Sequence, residues 1–447
     1  MCVCVCVCRL PRLISQTTEK AKLAIFLYSA LHHSTSNPGM IHASQATADA
    51  LCKLGMEGWI RKCHEEESAY GDTYWIYPKS PGSISSLSTL KGMQAIEPSV
   101  TCVDDMMSWY ADTMKQSLNA VLQWRDPGVK LSPLVEDEEL RDGGKKEDMT
   151  VPPVNAHTVM QQMGAFVENL QLLFVENMFH NMDHSYFVAM HMSSILRALH
   201  KKLDPLEEFA CLMACWIADL DHPGVTNDDL IAAKIAFPDT YRGRSLAQQH
   251  SFHRGWSMFL HDDHSELRTA LCPTDDDLAQ FRKMLLGCVL ATDALNPSLS
   301  AARKSRWERK ESSADMTPSP NISASRLGLL QDLVLTAHYF HFFEVSEVFL
   351  EWNQRAFNEA SVAYLAGRSD NSPAPKWNDH LHLLFNNITL PLSHQLVKYL
   401  RGSNQYAKDI LSNVQKNHRV WKDRGTLKVE EMKIRFESLE EEAVVDS

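Results

Sequence analysis

The sequence lacks the excess of basic residues that is typical of nucleic-acid-binding proteins. Lysine and arginine together number 44, against 56 aspartates and glutamates, and the formal charge is -12. Because a net negative surface repels phosphate backbones, this composition argues against an extended nucleic-acid interface. It favours partners that are small, neutral or chelated to a metal.

Long hydrophobic runs are also missing. A helix that crosses a membrane needs about 18 or more consecutive apolar residues. The longest candidate, LAIFLYSAL at residues 23–31, is too short, so we expect no transmembrane segment. With 44% apolar residues the chain can still bury a substantial core, and it should be globular.

The eleven cysteines do not show the paired spacing of a zinc ribbon or of a small disulfide scaffold. Reduced thiols in a cytoplasmic protein are the simplest interpretation. The opening MCVCVCVCRLPR has no basic residue before its apolar run, unlike a secretory signal. Its cysteines Cys2, Cys4, Cys6 and Cys8 are candidates for a lipid anchor. The alternative is a low-complexity start without a function.

Changes in pattern divide the chain into three parts. Residues 1–95 mix short apolar segments with Ser/Pro/Gly-rich stretches, which predicts a largely irregular N-terminal extension. Beyond Pro152, apolar residues recur at helical spacing without strand-like alternation. We therefore predict an all-α, compact multi-helix domain over residues 100–425. An acidic C-terminal tail follows at residues 426–447.

The main chemical signal lies between residues 180 and 227. His180 and His184 are four residues apart, so on a helix both imidazoles lie on one face. Asp219 and Asp221 follow the strongly apolar segment EEFACLMACWIA, where carboxylates are costly unless a cation lies nearby. This combination suits a metal ligand beside a proton donor.

These residues resemble the class I cyclic nucleotide phosphodiesterases, whose signature pairs H-N-x-x-H with a later H-D-x-D-H-P-G-x-T/S-N. Here HNMDH stands at residues 180–184 and ADLDHPGVTN at residues 218–227. Further matching segments are SLAQQHSFHRGW at 245–256 and VLATD at 289–293. The resemblance extends over residues 152–400, which is more than half of the chain.

The resemblance implies an all-helical domain whose helices converge on a two-metal pocket, with Zn²⁺ in the tighter site and Mg²⁺ or Mn²⁺ in the other. By motif match, His184 is a zinc ligand and Asp219 is the carboxylate that bridges both metals. His180 is the general acid that protonates the leaving O3′, and His222 orients a metal-bound water. The assignment is coherent, because metals activate water while an imidazolium donates to the departing alkoxide.

The sequence departs from the family pattern at the metal ligands. The family's His-Asp pair reads Ala218-Asp219, and an alignment anchored on Trp352 places His338 where the family has its last metal aspartate. The remaining candidate ligands are His184, Asp219 and His338, the normal number for a catalytic zinc. One carboxylate has been lost, so we expect the second metal to bind more weakly. Alternatively, Asp219 caps a helix turn and His338 is a core histidine.

Two further residues are candidates for substrate binding. Asp293, in VLATD, points into the pocket by resemblance, and His250 lies in SLAQQHS. In the same segment Gln248 replaces a family glutamate, which removes another carboxylate from the metal surroundings.

The residues of the nucleotide pocket depart most strongly from the family pattern. The family's purine-binding glutamine and a nearby phenylalanine align with Leu381 and Leu384 in DHLHLLFNN. Without the glutamine, bidentate recognition of adenine or guanine is lost, so the sequence does not distinguish cyclic AMP from cyclic GMP. His380 or His382 is an alternative hydrogen-bonding partner for the base.

The sequence as a whole predicts metal-dependent hydrolysis of a 3′,5′-cyclic nucleotide to the nucleoside 5′-monophosphate, in cyclic nucleotide signalling. Two alternatives stay open. One is a catalytically impaired phosphodiesterase relative that serves as a binding or interaction scaffold, which the changes at Ala218, Gln248, His338 and Leu381 favour. The other is a hydrolase of a different phosphoester, which would keep the metal chemistry without the purine pocket.

Overall fold

The computed structural model describes residues 41–44, 60–62, 73–76, 103–125, 155–199, 202–234, 241–308, 322–400 and 405–445. The chain divides into two compact units, with the boundary between residues 92 and 93. The four N-terminal cysteines considered for a lipid anchor lie outside the described residues.

The first unit contains a small antiparallel sheet. Its strands are β1 (Ile41–Ser44), β2 (Ile60–Lys62) and β3 (Thr73–Ile76), in the order β1-β3-β2. Ile41 of β1 and Ile60 of β2 both pair with Ile76 of the central strand β3. These eleven residues form regular β-structure, whereas the sequence predicts a largely irregular extension over residues 1–95. The rest of that prediction lies outside the described residues.

In the described residues of the second unit the regular secondary structure is all helical, which confirms the predicted all-α, multi-helix fold. Its α-helices, in chain order, are α1 (Val103–Arg125), α2 (Ala156–Gln171), α3 (Met182–Leu199), α4 (Pro205–Ile217), α5 (Asn227–Ala232), α6 (Leu246–Phe259), α7 (Ser265–Leu271), α8 (Asp275–Ala291), α9 (Pro297–Glu308), α10 (Ala324–His338), α11 (Ser346–Leu365), α12 (Ala374–Leu384), α13 (Leu390–Tyr399) and α14 (Gln405–Val445). Short 3₁₀ turns cover Asp262–His264 and Phe340–Phe343, and a π-helical turn joins α12 to α13 at Phe385–Thr389.

Helix α4 lies at the centre of the core. Its start is fixed by Pro205 and by a reciprocal cap, in which the Asp204 carboxylate accepts the Glu207 N–H and the Glu207 carboxylate accepts the Asp204 N–H, both at 2.9 Å. From there the helix is apolar on all sides, as expected for a buried helix. Helices α1, α3 and α8 pack around it. Asp219 follows directly after this rigid element.

A buried ion pair joins α4 to α10. The guanidinium of Arg326 donates to both carboxylate oxygens of Glu207, and both side chains are less than one-tenth exposed. Arg326 also donates to the carbonyl of Lys202. Because a broken buried pair is costly, this contact fixes the orientation of α10 and hence the place of His338 at its end.

The segment for which the sequence predicts an acidic tail continues helix α14. Val429, Met432 and Phe436 are buried along one side of it. The Gln354 side chain of α11 donates to the carbonyl of Met432 at 3.0 Å. This part of the chain therefore packs against the domain. Within the described residues, no helix has the length and hydrophobicity that a membrane span requires.

Candidate active site

The ends of three helices and the middle of a fourth meet at one place in the second unit. His180 lies two residues before α3, Asp219 and His222 lie just after α4, and His338 is the last residue of α10. Glu359 reaches the same place from the middle of α11. The motif residues that are far apart in sequence are thus brought together by helix packing.

Glu359 holds His180 through three contacts. Its Oε1 lies 2.6 Å from Nδ1 of His180, and its Oε2 accepts the backbone N–H groups of Phe179 and His180 at 2.8 and 2.9 Å. Burial lowers the pKa of His180, but the charge and hydrogen bond of Glu359 outweigh this and raise the pKa above its ordinary value. Burial raises the pKa of Glu359, yet His180 and the backbone donors bring it to about 2. Glu359 is therefore ionised and favours the protonated form of His180, whose Nε2 is not used in this pair.

His222 stacks on His180. The two ring centroids are 3.8 Å apart and the planes differ by 24°. Nδ1 of His222 accepts the N–H of Gly224 at 3.2 Å, so the ring carries its proton on Nε2. Burial and the neighbouring charge of His180 lower the pKa of His222 to about 3. His222 is therefore a neutral donor beside the ring of His180.

Asp219 and His184 form a second pair. Nδ1 of His184 lies 2.7 Å from Oδ2 of Asp219, and both side chains are buried. Burial raises the pKa of Asp219, but His184, followed by His338 and His180, brings it well below its usual range. Asp219 is thus an ionised carboxylate in the interior. Nε2 of His184 is buried without a hydrogen-bond partner.

His338 lies next to this pair. Its ring centroid is 5.0 Å from that of His184, and only 7% of the residue is exposed. Its Nδ1 has no hydrogen-bond partner. Burial lowers the pKa of His338 to about 3, so the imidazole is neutral, the form that binds metals.

Among the residues that the structure describes, two groups of three side chains have ligand atoms within 4.8 Å of one another. One is His180, Asp219 and His338, and the other is His180, His222 and Glu359. The second group is a poor metal site. Its imidazole rings are stacked, so their in-plane lone pairs do not converge on one point, and Glu359 already accepts three hydrogen bonds.

The first group fits a single metal ion. His180 is disfavoured as a ligand while it is protonated, which leaves Asp219 and the neutral His338. His184, which the sequence predicts as a ligand, belongs to neither group: its Nδ1 lies 2.7 Å from Asp219, and its ring centroid is 5.0 Å from that of His338. Two imidazoles and a carboxylate suit zinc. A second ion lacks donors, because Ala218 is buried and offers only a methyl group. The described residues therefore offer one candidate group for a divalent ion.

The predicted substrate-binding residues belong to neither three-residue group. Oδ2 of Asp293 accepts hydrogen bonds from Ser245 at 2.7 Å and from Asn227 at 3.2 Å. Asn227 also donates to the side-chain oxygen of Gln248 at 2.9 Å. Nε2 of His250 lies 2.9 Å from a carboxylate oxygen of Asp221. Both candidates are thus engaged in side-chain networks, and their contact with a substrate stays a prediction.

The aligned nucleotide positions are part of the apolar core. Leu381 is 1% exposed and Leu384 is also buried, and both belong to the main hydrophobic cluster. His380 packs beside Trp377 with ring centroids 5.6 Å apart. Neither of these two aligned positions therefore offers a side-chain amide to a ligand.

Glu359 is a site residue that the sequence motifs do not identify. It lies outside HNMDH and DHPGVTN, on a helix whose role the sequence leaves open. One signal was present: α11 carries Asn353, Gln354, Asn358 and Glu359 on the side that also holds its buried aromatic residues. Buried polar side chains require partners, so such a face indicates a hydrogen-bonded network.

Comparison with known proteins agrees with this geometry. A family profile described as 3′5′-cyclic nucleotide phosphodiesterase matches residues 179–390. The chain is 28% identical over 197 residues to the probable 3′,5′-cyclic-AMP phosphodiesterase pde-4 of Caenorhabditis elegans, covering 43% of this chain and 29% of the relative. It is 28% identical over 199 residues to the 3′,5′-cyclic-AMP phosphodiesterase 4C of Mus musculus, covering 42% and 28%. The chain thus spans less than a third of the length of these relatives.

A solved structure has the same fold. The phosphodiesterase domain of the RhoPDE fusion protein from the choanoflagellate Salpingoeca rosetta superposes with a TM-score of 0.55 at 16% identity, and covers 77% of this chain and 99% of its own. At this identity the likeness concerns the fold alone. The family profile and the motifs at residues 180–227 lead to one conclusion: residues 179–390 belong to a domain of the class I 3′,5′-cyclic nucleotide phosphodiesterase family.

Proposed function

We propose that this protein hydrolyses a 3′,5′-cyclic nucleotide to the nucleoside 5′-monophosphate, with one divalent metal ion, in cyclic nucleotide signalling in the cytoplasm. The observation that supports this most is the hydrogen-bonded His180–Glu359 pair beside Asp219 and His338. A proton donor thus lies next to a set of metal-binding groups, which is the arrangement that phosphodiester hydrolysis needs.

His180 acts as the general acid. Water attacks phosphorus, the bond from phosphorus to O3′ breaks, and O3′ takes a proton from Nε2 of His180. Glu359 keeps His180 protonated and fixes the ring through Nδ1. His222 is neutral and donates from Nε2, which suits it to orient the attacking water.

The metal would be held by His184, Asp219 and His338. A bound divalent ion lowers the pKa of water and polarises a phosphoryl oxygen. Asp219 supplies the negative charge of this set and is kept ionised by the imidazoles around it. His338, whose Nδ1 is unpaired, supplies a neutral nitrogen.

A second candidate function is hydrolysis of another phosphoester. The burial of Leu381 and Leu384 favours it, because neither position can hydrogen-bond to a purine. The metal groups and the acid would be used in the same way, with a different leaving oxygen. A scaffold without catalysis is the remaining alternative, and Ala218 is the residue that favours it.

An assay of the purified full chain separates these functions. Cyclic AMP, cyclic GMP and a panel of other phosphoesters are supplied with zinc and with magnesium or manganese, and His180→Gln serves as the inactive control. Turnover of a cyclic nucleotide that His180→Gln abolishes supports the proposal. Turnover of other phosphoesters alone favours the second candidate. Absence of all turnover, with zinc bound or not, contradicts hydrolysis and leaves the scaffold.

A further inference from the structure

Asn177 lies in the loop between α2 and α3 and contacts both histidines of the stacked pair. Its side-chain Nδ2 donates to the carbonyl of His222 at 2.7 Å and to the carbonyl of His180 at 3.2 Å. One amide group thus bridges two backbone positions that are 42 residues apart in the sequence. The side chains of the same two residues stack at 3.8 Å.

The position of Asn177 is itself fixed. Its backbone N–H donates to Val175 at 2.8 Å, and its carbonyl accepts the side chain of Asn181 at 2.8 Å. The two loops are also joined by the N–H of Asp221, which donates to the carbonyl of Leu173 at 2.9 Å. Asn177 is therefore a rigid part of the contact between the loop before α3 and the loop after α4.

Gly224 makes room for this side chain. It has a φ of +66°, and a Cβ atom built there would lie 2.7 Å from Oδ1 of Asn177. A glycine is thus required at this turn both by its left-handed backbone and by the proximity of the amide. The glycine of the HPG turn and Asn177 fit each other in this chain.

We propose that Asn177 is a positioning residue for the hydrolysis proposed above, on which this inference rests. It holds the backbones of His180 and His222 at the distance that stacks their rings and aims both Nε2 atoms at the substrate. Glu359 contacts the ring of His180 and accepts the backbone N–H groups of Phe179 and His180. Asn177 is the contact that fixes His222 relative to His180.

The test compares Asn177→Ala with Asn417→Ala in the full chain. Asn417 is a matched control, because its Nδ2 also bridges two carbonyls, those of Phe342 at 3.1 Å and Glu344 at 2.8 Å, but it lies on α14. We measure kcat and KM for cyclic AMP and cyclic GMP, the melting temperature, and the imidazole ¹⁵N and ¹H NMR signals. The imidazole signals report on the stacked pair without requiring activity.

We expect Asn177→Ala to lower kcat by roughly tenfold to a hundredfold with little change in KM, since it misplaces the proton donor without removing it. The signals of His180 and His222 shift in this variant. Asn417→Ala lowers the melting temperature similarly but leaves kcat and both signals unchanged. If Asn177→Ala does not fold, Asn177→Ser, which keeps one donor, is compared with Asn417→Ser.

Two results would overturn the inference: unchanged kcat and unchanged imidazole signals in the Asn177 variant, or an equal loss of kcat in the Asn417 variant. If the wild-type protein does not turn over either nucleotide, the proposed function fails, and the NMR comparison alone decides on Asn177. Shifted signals then support its positioning role, and unchanged signals reject it.

Discussion

Nδ1 of His180 lies 2.6 Å from Oε1 of Glu359, although the two residues are separated by 179 positions in the sequence. The pair joins the loop before α3 to the middle of α11. Because Glu359 also accepts two backbone N–H groups, it fixes both the ring and the main chain of His180. The strength of the proposed acid is therefore set by a helix that carries none of the recognisable motifs.

Glu359→Gln should weaken the acid. The variant keeps the shape of the side chain but removes the charge that opposes the effect of burial, so the pKa of His180 falls. A general acid is active below its pKa, and its contribution is lost as pH rises through that value. The alkaline limb of the plot of kcat against pH should therefore move to lower pH, with roughly a hundredfold loss of kcat at slightly alkaline pH.

Glu351→Gln is the control for this experiment, because Glu351 lies on the same helix and pairs with Arg355 and Arg435 near the surface. It should leave the pH profile unchanged. An alkaline limb that stays in place in Glu359→Gln would show that His180 is not the titrating acid.

His184→Ala should abolish zinc binding. It removes a buried imidazole that lies 2.7 Å from Asp219 and leaves that carboxylate without its main partner. Because uncompensated buried charge is costly, the variant should also lose about 3–5 kcal/mol of stability. Loss of zinc binding is measured as the zinc retained after dialysis, by atomic emission. Loss of stability is measured by urea unfolding.

His264→Ala is a matched control for the loss of a buried histidine. His264 is 1% exposed and packs with its ring centroid 5.3 Å from that of Phe166, away from the candidate site. It should lose stability and keep zinc. Equal zinc content in both variants and in the wild type would reject His184 as a ligand.

Much of the fold could be predicted from the sequence, because it depends on local patterns. The helical spacing beyond Pro152 predicts an all-α domain, and DHPGVTN at residues 221–227 places a turn after α4 that the structure contains. Such signals involve neighbouring residues, so chain order alone reveals them. The packing of α14 past residue 426 was not foreseen, since its acidic residues conceal the apolar side with Val429 and Met432.

The candidate site was predictable only where residues belong to motifs. His180, His184, Asp219 and His222 come from two such segments, and the structure brings them together. Glu359 depends on how α11 packs against the loop before α3, which no local pattern encodes. Contacts between distant helices must therefore be read from the structure.

Restoring the missing ligands should add a second metal. In Ala218→His/His338→Asp the family pattern is complete again, with two imidazoles and two carboxylates. We expect the wild type to bind one divalent ion and the double variant to bind two, as measured by metal content after equilibrium dialysis. Since Ala218 is 2% exposed, the larger side chain should cost about 1–3 kcal/mol by overpacking.

Ala218→Phe is the control for bulk at this position, because it adds an aromatic ring without a ligand. It should lose stability to a similar extent and bind no additional metal. A second ion already bound to the wild type would contradict the one-metal site, since Ala218 contributes no donor.

The wild-type protein should discriminate poorly between cyclic AMP and cyclic GMP. Sites that hydrogen-bond a polar group reject the wrong ligand by about 10⁴-fold or more, whereas apolar pockets achieve only about 10- to 200-fold. Leu381 is 1% exposed in the core and cannot form a bidentate contact with a purine. We therefore expect less than about a tenfold difference in kcat/KM between the two nucleotides, measured by direct competition.

Leu381→Gln tests why this pocket cannot simply be restored. The new amide would lie in the hydrophobic cluster without a partner, which costs about 1–3 kcal/mol. Leu396→Gln, at an equally buried position on α13, should be destabilised to the same extent.

If the wild type instead discriminates strongly between cyclic AMP and cyclic GMP, His380→Ala and His382→Ala identify which imidazole hydrogen-bonds to the base. Discrimination that survives in both variants would require a base-binding group elsewhere, because Leu381 and Leu384 remain apolar.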